Sequence, residues 1–283
     1  MALTWLGVRL PDLASSLRNL GVRLSEVGRG EEALAPSQEA ADLYRELAEA
    51  NPAVYLPDLA GSLRNLGNRL SELGRGEDAL GPSQEAVTTL RRLAEENPVV
   101  YLPDLARSQN VLCALLAGAG RWEEALAFCH EAADLYQRLV EANRAVYLPD
   151  LAASLRNLGS LLWEAGRREE ALAPSQEALA IWRHLAVANP VVYLPDLAMS
   201  LWAFAWVRVR VGLELPEALA AVQDAILLYE PLTRQFPGRF DAVLWPTYHI
   251  LADVLDGLGR STEAAELRRQ LAELSSGEPN GDG

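Results

Sequence analysis

Hydrophobic residues recur along the chain at spacings of three and four, which is the pattern of one buried face of an α-helix. The first stripe of this kind consists of Leu13, Leu17, Leu20, Gly21 and Leu24. Gly28 follows it, and glycine readily takes the left-handed conformation that ends many helices. A second stripe runs from Ala33 to Ala48 and stops before Pro52, because proline restricts the residue ahead of it. The pattern therefore predicts two antiparallel helices joined by a three-residue turn.

This pair of stripes returns along the chain with a constant period. The segment Leu-Pro-Asp-Leu-Ala occurs every 46 residues, at Leu10, Leu56, Leu102, Leu148 and Leu194. Proline suits the first position of a helix, so each copy is predicted to open the first helix of a repeat. The repeats are predicted to start near residues 11, 57, 103, 149, 195 and 242, the sixth being diverged. Self-similarity at such a period is the signature of a solenoid of stacked helical hairpins.

Proline also lies about six residues into several second helices, at Pro36, Pro82 and Pro174. A proline at that place removes a backbone hydrogen bond and clashes with the preceding turn. Repeats one, two and four are therefore predicted to have a kink or a tight first turn in the second helix. Phe128 occupies the place in repeat three, so its second helix is predicted to run straighter.

A known family has the same arrangement of small and large residues, here Leu17, Leu20, Gly21, Leu24, Gly28, Ala33 and Ala40. The set resembles the tetratricopeptide repeat, in which small residues let two helices pack closely. That repeat is usually about 34 residues long, so the added length here is expected in the second helix and in a connector over Pro52–Leu56. Longer repeats of this sort resemble those of kinesin light chains and of the sensor arms of bacterial STAND-type signalling ATPases.

The resemblance implies an all-α fold, a right-handed superhelix of about six helical hairpins. We expect a single solenoid over residues 1–274, followed by a disordered polar tail over 275–283. In the family, the first helix of each hairpin lines a concave groove that binds protein segments.

Charge narrows the classes of partner. The formal net charge is −14, the sequence pI is about 4.7, and every cationic side chain is arginine or histidine. This argues against a nucleic-acid surface or a polybasic membrane patch, since both need a basic face. No run approaches 18 apolar residues without charge, so no membrane span is expected. Residues 1–10 lack the apolar core of a signal peptide, and two cysteines make no disulfide framework, so a cytoplasmic location is expected.

Catalytic and metal motifs do not emerge from the sequence. Without lysine there is no phosphate-binding Walker A loop and no kinase lysine, and no Gly-x-Ser-x-Gly elbow is present. The histidines, His130, His184 and His249, lie in different repeats and lack metal-ligand spacing. We therefore expect a protein that is not an enzyme, with no catalytic residue, no metal site and no cofactor.

The two cysteines both lie in repeat three. Cys113 replaces the small glycine of the first helix, and Cys129 replaces a serine of the second. Both positions face the interior of the hairpin, so the thiols are expected to lie near each other. Buried thiols that act as small hydrophobic groups are the favoured interpretation, and a redox pair is the alternative.

Polar pairs recur beside the buried stripe of the first helices. Arg18-Asn19, Arg64-Asn65 and Arg156-Asn157 occupy equivalent positions, and Asn110 takes the arginine's place in repeat three. In related arrays, asparagines at this place hold the backbone of an extended peptide, and an amide suits that task because it both donates and accepts hydrogen bonds. The arginines would bind ligand carboxylates. The alternative is that repeat duplication copied a harmless polar pair.

Tryptophans take the places of Arg18, Val22 and Ser25 further along the chain. Trp202 takes the place of Arg18 in repeat five, Trp206 lies four residues later on the same helical face, and Trp163 lies in repeat four. Aromatic anchors are enriched in binding hot spots. The rings therefore form either a pocket at one end of the groove or part of a core covered by repeat six.

The favoured function is a non-enzymatic scaffold or sensor-adaptor module that binds an unidentified protein or peptide in the groove. One alternative is a self-assembling structural unit, because repeat one lacks a preceding helix and leaves a bare N-terminal edge for a second copy. Another alternative is a small-molecule sensor that uses the tryptophan-lined pocket. Nucleic acids and membranes are not expected as partners.

Overall fold

Six helical hairpins follow one another in a computed structural model that describes residues 2–235 and 241–276. The described residues form twelve helices: α1 Ala2–Glu26, α2 Gly30–Ala50, α3 Pro52–Glu72, α4 Gly76–Glu96, α5 Pro98–Gly118, α6 Trp122–Ala142, α7 Arg144–Glu164, α8 Leu172–Ala188, α9 Pro190–Val211, α10 Leu215–Gln235, α11 Asp241–Gly257 and α12 Ser261–Ser276. Consecutive odd- and even-numbered helices form repeats one to six. The predicted all-α solenoid fold is thereby confirmed.

The chain divides into two compact parts, which we call the N-terminal body, Met1–Arg144, and the C-terminal body, Ala145–Gly283. The N-terminal body holds repeats one to three, and the C-terminal body holds the rest of the chain from the second residue of α7. The single solenoid over residues 1–274 stays a prediction. Of the tail predicted over 275–283, the first two residues end α12 and the remainder lies outside the described residues.

The first helices of repeats two to five begin five residues earlier than the Leu-Pro-Asp motif suggested. α3 starts at Pro52, and Asn51 alone separates it from α2. The predicted connector over Pro52–Leu56 is therefore wrong, because these residues are the first turn of α3. Pro52 already supplies the pre-organised first position. Pro57 lies inside the helix, which continues without the one backbone hydrogen bond that a proline cannot donate.

The turns within the hairpins follow the predicted glycine pattern. Gly28 has φ +77°, its N–H donates to the Ser25 carbonyl at 2.9 Å, and the Arg29 N–H donates to the Leu24 carbonyl at 2.9 Å. These two bonds satisfy carbonyls that the end of α1 would leave without partners. The same pair of bonds closes α3, α5, α7 and α11 at their left-handed glycines.

The prolines of the second helices act differently from repeat to repeat. α2 and α4 run through Pro36 and Pro82 as unbroken 21-residue helices. α8 begins only at Leu172, so Pro174 lies in its first turn. The tight first turn predicted for these repeats therefore occurs in repeat four.

Small residues bring the two helices of a hairpin close together, as the sequence predicts. A Cβ atom built on Gly67 would lie 2.4 Å from the Ser83 hydroxyl oxygen, and one on Gly21 would lie 2.3 Å from that of Ser37. Neither glycine can gain a methyl group unless the serine moves. Large aliphatic side chains such as Leu63 and Leu66 fill the space beside this contact and are fully buried.

One helix of the described residues, α9, is long and apolar enough to cross a membrane by length and composition, with a mean hydropathy of 1.3. Its buried residues, among them Leu201 and Ala205, pack into a core with residues of α8, α10 and α11. Burial between neighbouring helices accounts for its apolar composition, and we interpret α9 as a core helix.

Candidate functional site

The odd-numbered helices form the face on which the candidate residues lie. Within the N-terminal body α1 contacts α3 and α3 contacts α5, and within the C-terminal body α9 contacts α11. First helices of adjacent repeats therefore form a continuous side in each body, which we call the odd-helix face. Arg18 and Asn19 lie on α1, Arg64 and Asn65 on α3, Asn110 on α5, and Arg156 and Asn157 on α7.

The arginines of this face bind carboxylates of the chain itself. The Arg18 Nη1 donates to Asp58 Oδ1 at 2.7 Å, and the Arg64 guanidinium forms the same bond with Asp104. In the C-terminal body the Arg156 Nη1 lies 3.6 Å from Asp196 Oδ1. Each aspartate belongs to the Leu-Pro-Asp motif of the following repeat, 40 residues downstream. The motif thus gives the next first helix an anchoring carboxylate.

These ion pairs leave little arginine surface for a ligand. The three arginine side chains are about three-quarters or more buried, and the Arg18 guanidinium also lies over the Tyr44 ring, 5.3 Å from its centroid. A ligand carboxylate would have to displace Asp58 or Asp104 to bind Arg18 or Arg64. The buried Arg156 Nη1 has no hydrogen-bond partner among the described residues.

The neighbouring asparagines behave differently. Asn19 and Asn157 are exposed and Asn65 is half-buried, and their side chains make no hydrogen bond to any residue that the structure describes. Asn19 and Asn65 lie on contacting helices of one body, whereas Asn157 belongs to the other body. Asn110 is half-buried and interacts within the chain. The N-terminal body therefore presents two amides whose hydrogen-bonding groups are not used by these residues.

The three tryptophans form one aromatic cluster in the C-terminal body. The ring centroids of Trp163 and Trp206 are 4.8 Å apart in an edge-to-face arrangement, and those of Trp202 and Trp206 are 6.1 Å apart and nearly parallel. The Arg168 guanidinium lies 4.7 Å from the Trp163 ring centroid. All three rings are half-buried, and Trp202 and Trp206 pack against the core of α9 to α11. The cluster thus combines core packing with partly exposed aromatic surface.

A second set of ion pairs, which the sequence interpretation missed, joins the even-numbered helices. Arg45 donates two hydrogen bonds to Glu85, at 3.0 and 2.8 Å, and Arg91 donates to Glu131 at 2.7 Å. These partners are again 40 residues apart. The signal in the sequence is an acidic residue that recurs 40 positions after an arginine in a 46-residue repeat.

The two cysteines lie together inside repeat three, as expected. Cys129 is fully buried, Cys113 is 4% exposed, and both are free thiols. The hydrogen-bonded Cys113 thiol and burial together raise the pKa of Cys129 well above its usual range. The Cys129 thiol is therefore neutral at physiological pH.

The rest of the described surface adds little to these candidates. No group of three or more His, Cys, Asp or Glu side chains suitable for a metal occurs among the described residues. Two open clefts of about 600 and 450 Å³ lie beside the turns of the N-terminal body. They are lined largely by the ends of α2 to α5, and none of the candidate arginines and asparagines of the odd-helix face lines either cleft.

Models of known protein families match most of the repeats. Two family models, both described as tetratricopeptide repeat, match residues 13–52 and 59–98 in one case and 104–184 in the other. Together these segments cover more than half of the chain. No curated protein matches the sequence.

Solved structures share the fold at low sequence identity. BtubC (BKLC) from P. vanneervenii has a TM-score of 0.63 at 18% identity, over 90% of this chain and 95% of that chain. A putative kinesin light chain with nearly identical TPR-like repeats from Podospora anserina has a TM-score of 0.52 at 18% identity, over 78% and 96%. A Rap protein complexed with competence and sporulation factor has a TM-score of 0.54 at 14% identity, over 93% and 75%.

Proposed function

Because the chain belongs to the tetratricopeptide repeat family, we propose that it is a non-enzymatic module that binds a protein or peptide segment along its odd-helix face. The observation that carries the proposal is the pair of amides, Asn19 and Asn65, which have no side-chain partner among the described residues. They lie on adjacent first helices, so they offer the same group twice along one side of the N-terminal body.

The chemistry of the amide defines what it would recognise. An asparagine side chain donates and accepts at once, which matches the C=O and N–H of a peptide unit. The arginines beside these amides are already paired with Asp58 and Asp104, so the face is locally close to neutral. Recognition through backbone groups of an extended segment therefore fits this face better than recognition of an acidic ligand.

The comparisons support the proposal at the level of the fold. The Rap protein of similar fold is found in complex with competence and sporulation factor. A fold of this kind can therefore hold a partner. We include in the proposal a cytoplasmic location, since two buried free cysteines suit a reducing compartment.

A second candidate function rests on the tryptophan cluster. The half-buried rings of Trp163, Trp202 and Trp206 offer stacking surface, and the buried Trp202 Nε1 has no hydrogen-bond acceptor among the described residues. A small planar ligand or an aromatic side chain of a partner would use this surface. The self-assembling alternative through the N-terminal edge stays a prediction.

The test uses peptides selected on the purified protein from a random displayed library. Asn19→Ala combined with Asn65→Ala is expected to weaken binding of the selected peptide at least tenfold, since a lost buried hydrogen bond of about 1.4 kcal/mol corresponds to a factor of ten. Gln137→Ala is the matched control, because it removes an exposed amide from the even-numbered helix α6. Calorimetry measures both affinities.

Two results would argue against peptide binding through Asn19 and Asn65. Equal affinity of the double variant and the parent would exclude the odd-helix proposal. Loss of binding on Trp206→Ala, with the asparagine variants unaffected, would favour the tryptophan candidate instead. Thermal melts of each variant establish that the fold is retained, since exposed polar substitutions usually change stability by within about 0.5 kcal/mol.

A further inference from the structure

Repeat three differs from its relatives at the point where the two helices of a hairpin come closest. Repeats one, two and four have glycine facing serine there, in the pairs Gly21 and Ser37, Gly67 and Ser83, and Gly159 and Ser175. A Cβ atom built on these glycines lies 3.5, 3.6 and 3.6 Å from the serine Cβ, respectively. The hairpin geometry therefore fixes the separation of two Cβ atoms at this site within a narrow range.

That separation falls within the range that a disulfide requires. Bonded cysteines have Cβ atoms about 3.5–4.5 Å apart. Repeat three places a cysteine at both positions, Cys113 for the glycine and Cys129 for the serine, each 46 residues after its counterpart in repeat two. Both thiols are free and buried, and the neighbouring Cys113 side chain raises the pKa of Cys129. Both members of this contacting pair are cysteines in the same repeat, so each buried thiol has the other as its neighbour.

We propose that Cys113 and Cys129 are an oxidisable pair that forms a disulfide between α5 and α6 and so locks the hairpin of repeat three. The reduced form seen here packs as a core, and the oxidised form cross-links the same two helices without separating them. This site is independent of the peptide-binding face.

The oxidant we name is a low-molecular-weight disulfide, such as oxidised glutathione. Brief opening of the hairpin exposes the thiols, because both are buried in the closed form. The Cys113 thiolate, from the slightly more exposed residue, attacks one sulfur of the oxidant and releases one thiol. The Cys129 thiolate then attacks the Cys113 sulfur of this mixed disulfide and releases the second thiol. Two protons pass from the cysteines to the released thiols, and two electrons reduce the oxidant.

The experiment equilibrates the full chain in mixtures of reduced and oxidised glutathione, alkylates the remaining thiols after unfolding, and measures the intact mass. The expected result at the oxidising end is a chain lighter by two hydrogen atoms, without alkyl groups, and restored by dithiothreitol. A peptide map should join the fragments that contain residues 113 and 129. The oxidised chain should melt higher, on the order of 5 °C, because the bond restricts the unfolded chain.

The control variant, Cys113→Gly combined with Cys129→Ser, restores the residue pair of repeats one, two and four. Its melting temperature is expected not to change with the glutathione ratio. The proposal is overturned if both cysteines remain alkylatable at every ratio, including after refolding in oxidised glutathione. Stable glutathione adducts or disulfides between chains, in place of the internal bond, would overturn it as well. The mass measurement on the parent chain decides the matter even if the control variant folds poorly.

Discussion

Close contacts between single residues set how the hairpins pack. Gly67 faces the Ser83 hydroxyl so closely that its hydrogen atom is the largest substituent that fits. Ala33, Ala79 and Ala125, the first buried alanines of α2, α4 and α6, and Ala171, directly before α8, are also fully buried. The identity of these small residues was visible in the sequence as a repeating pattern. The requirement at each position is steric, so it can be tested one methyl group at a time.

Gly67→Ala is expected to destabilise the protein by about 1–3 kcal/mol, because the added methyl group overpacks a fixed contact. Gly67→Ala combined with Ser83→Ala should recover much of this loss. The hydroxyl oxygen at 2.4 Å is then gone, and the next nearest atoms, the residue 83 Cβ at 3.6 Å and the Ala79 carbonyl at 3.7 Å, are at ordinary contact distance. Gly81→Ala serves as control, because nothing lies within 4 Å of its added Cβ. Urea unfolding measures all three. Equal costs for the single and double variants would contradict the steric explanation.

Tyr248 gives the chain a dependence on alkaline pH. Burial and its hydrogen bond to Glu230, whose Oε1 accepts at 2.7 Å, raise the pKa of Tyr248 to about 12 from 10.0. Between these values the folded chain holds the proton and the unfolded chain has released it. Stability is therefore complete below pH about 10 and falls as the pH rises towards 12. Unfolding curves across this range should be less steep in pH for Tyr248→Phe, and an unchanged slope would argue against this assignment.

At the scale of the helices, the sequence predicted the turns and the buried faces more accurately than it predicted where the first helices begin. Gly28 and its counterparts occur in the left-handed conformation at helix ends, as the sequence indicates. Pro57 led to a late helix start because proline suits both a first position and, with the loss of one hydrogen bond, a position inside the helix. Pro52 is the first residue of α3, and in the sequence only its position directly after Asn51 distinguishes it from Pro57. Local patterns do not decide between two prolines five residues apart.

The arginines illustrate a different limit of the sequence. Arg64 was predicted to bind a ligand, but its partner Asp104 comes from the next repeat. A helical stripe says which residues share a face, and the contact across the repeat boundary depends on how two first helices align. The exposure of the tryptophans could not be predicted for the same reason, since it depends on how α9 packs against its neighbours. The sequence could place the candidate residues on the first helices. The structure was needed to show that the arginines pair with aspartates and that Asn19, Asn65 and Asn157 have no side-chain hydrogen bond to a described residue.

A double-mutant cycle on Arg64→Gln and Asp104→Asn tests the structural role of the arginines. Their side chains are 25% and 39% exposed, so the coupling free energy should be near the upper end of the range of about 0.2–1 kcal/mol for surface ion pairs. The exposed pair Arg75 and Asp78, three residues apart at the start of α4, is the matched control and should give about 0.3 kcal/mol. Urea unfolding supplies the free energies. A coupling of zero for Arg64 and Asp104 would mean that the pair does not hold adjacent helices.

At the scale of the whole molecule, charge and repetition act together. A net charge of −14 repels acidic partners at long range, and the arginines that would offset it locally are paired with aspartates and glutamates. Short ion pairs between repeats recur on both the odd- and the even-numbered helices of the N-terminal body. Repetition therefore gives repeats one and two the same ion pairs to the repeat that follows each of them. Asn19 and Asn65, whose side chains have no hydrogen-bond partner among the described residues, recur beside these pairs.

Hydrogen exchange of the whole chain, with and without a selected peptide, tests most directly where a partner binds. The peptide is expected to slow exchange in α1 and α3, in segments that contain Asn19 and Asn65, because a bound main chain shields these helices and restrains their opening. The segments of α2 and α4 should change less. Protection confined to the even-numbered helices, or to the segments around Trp163 and Trp206, would contradict binding through the odd-helix asparagines.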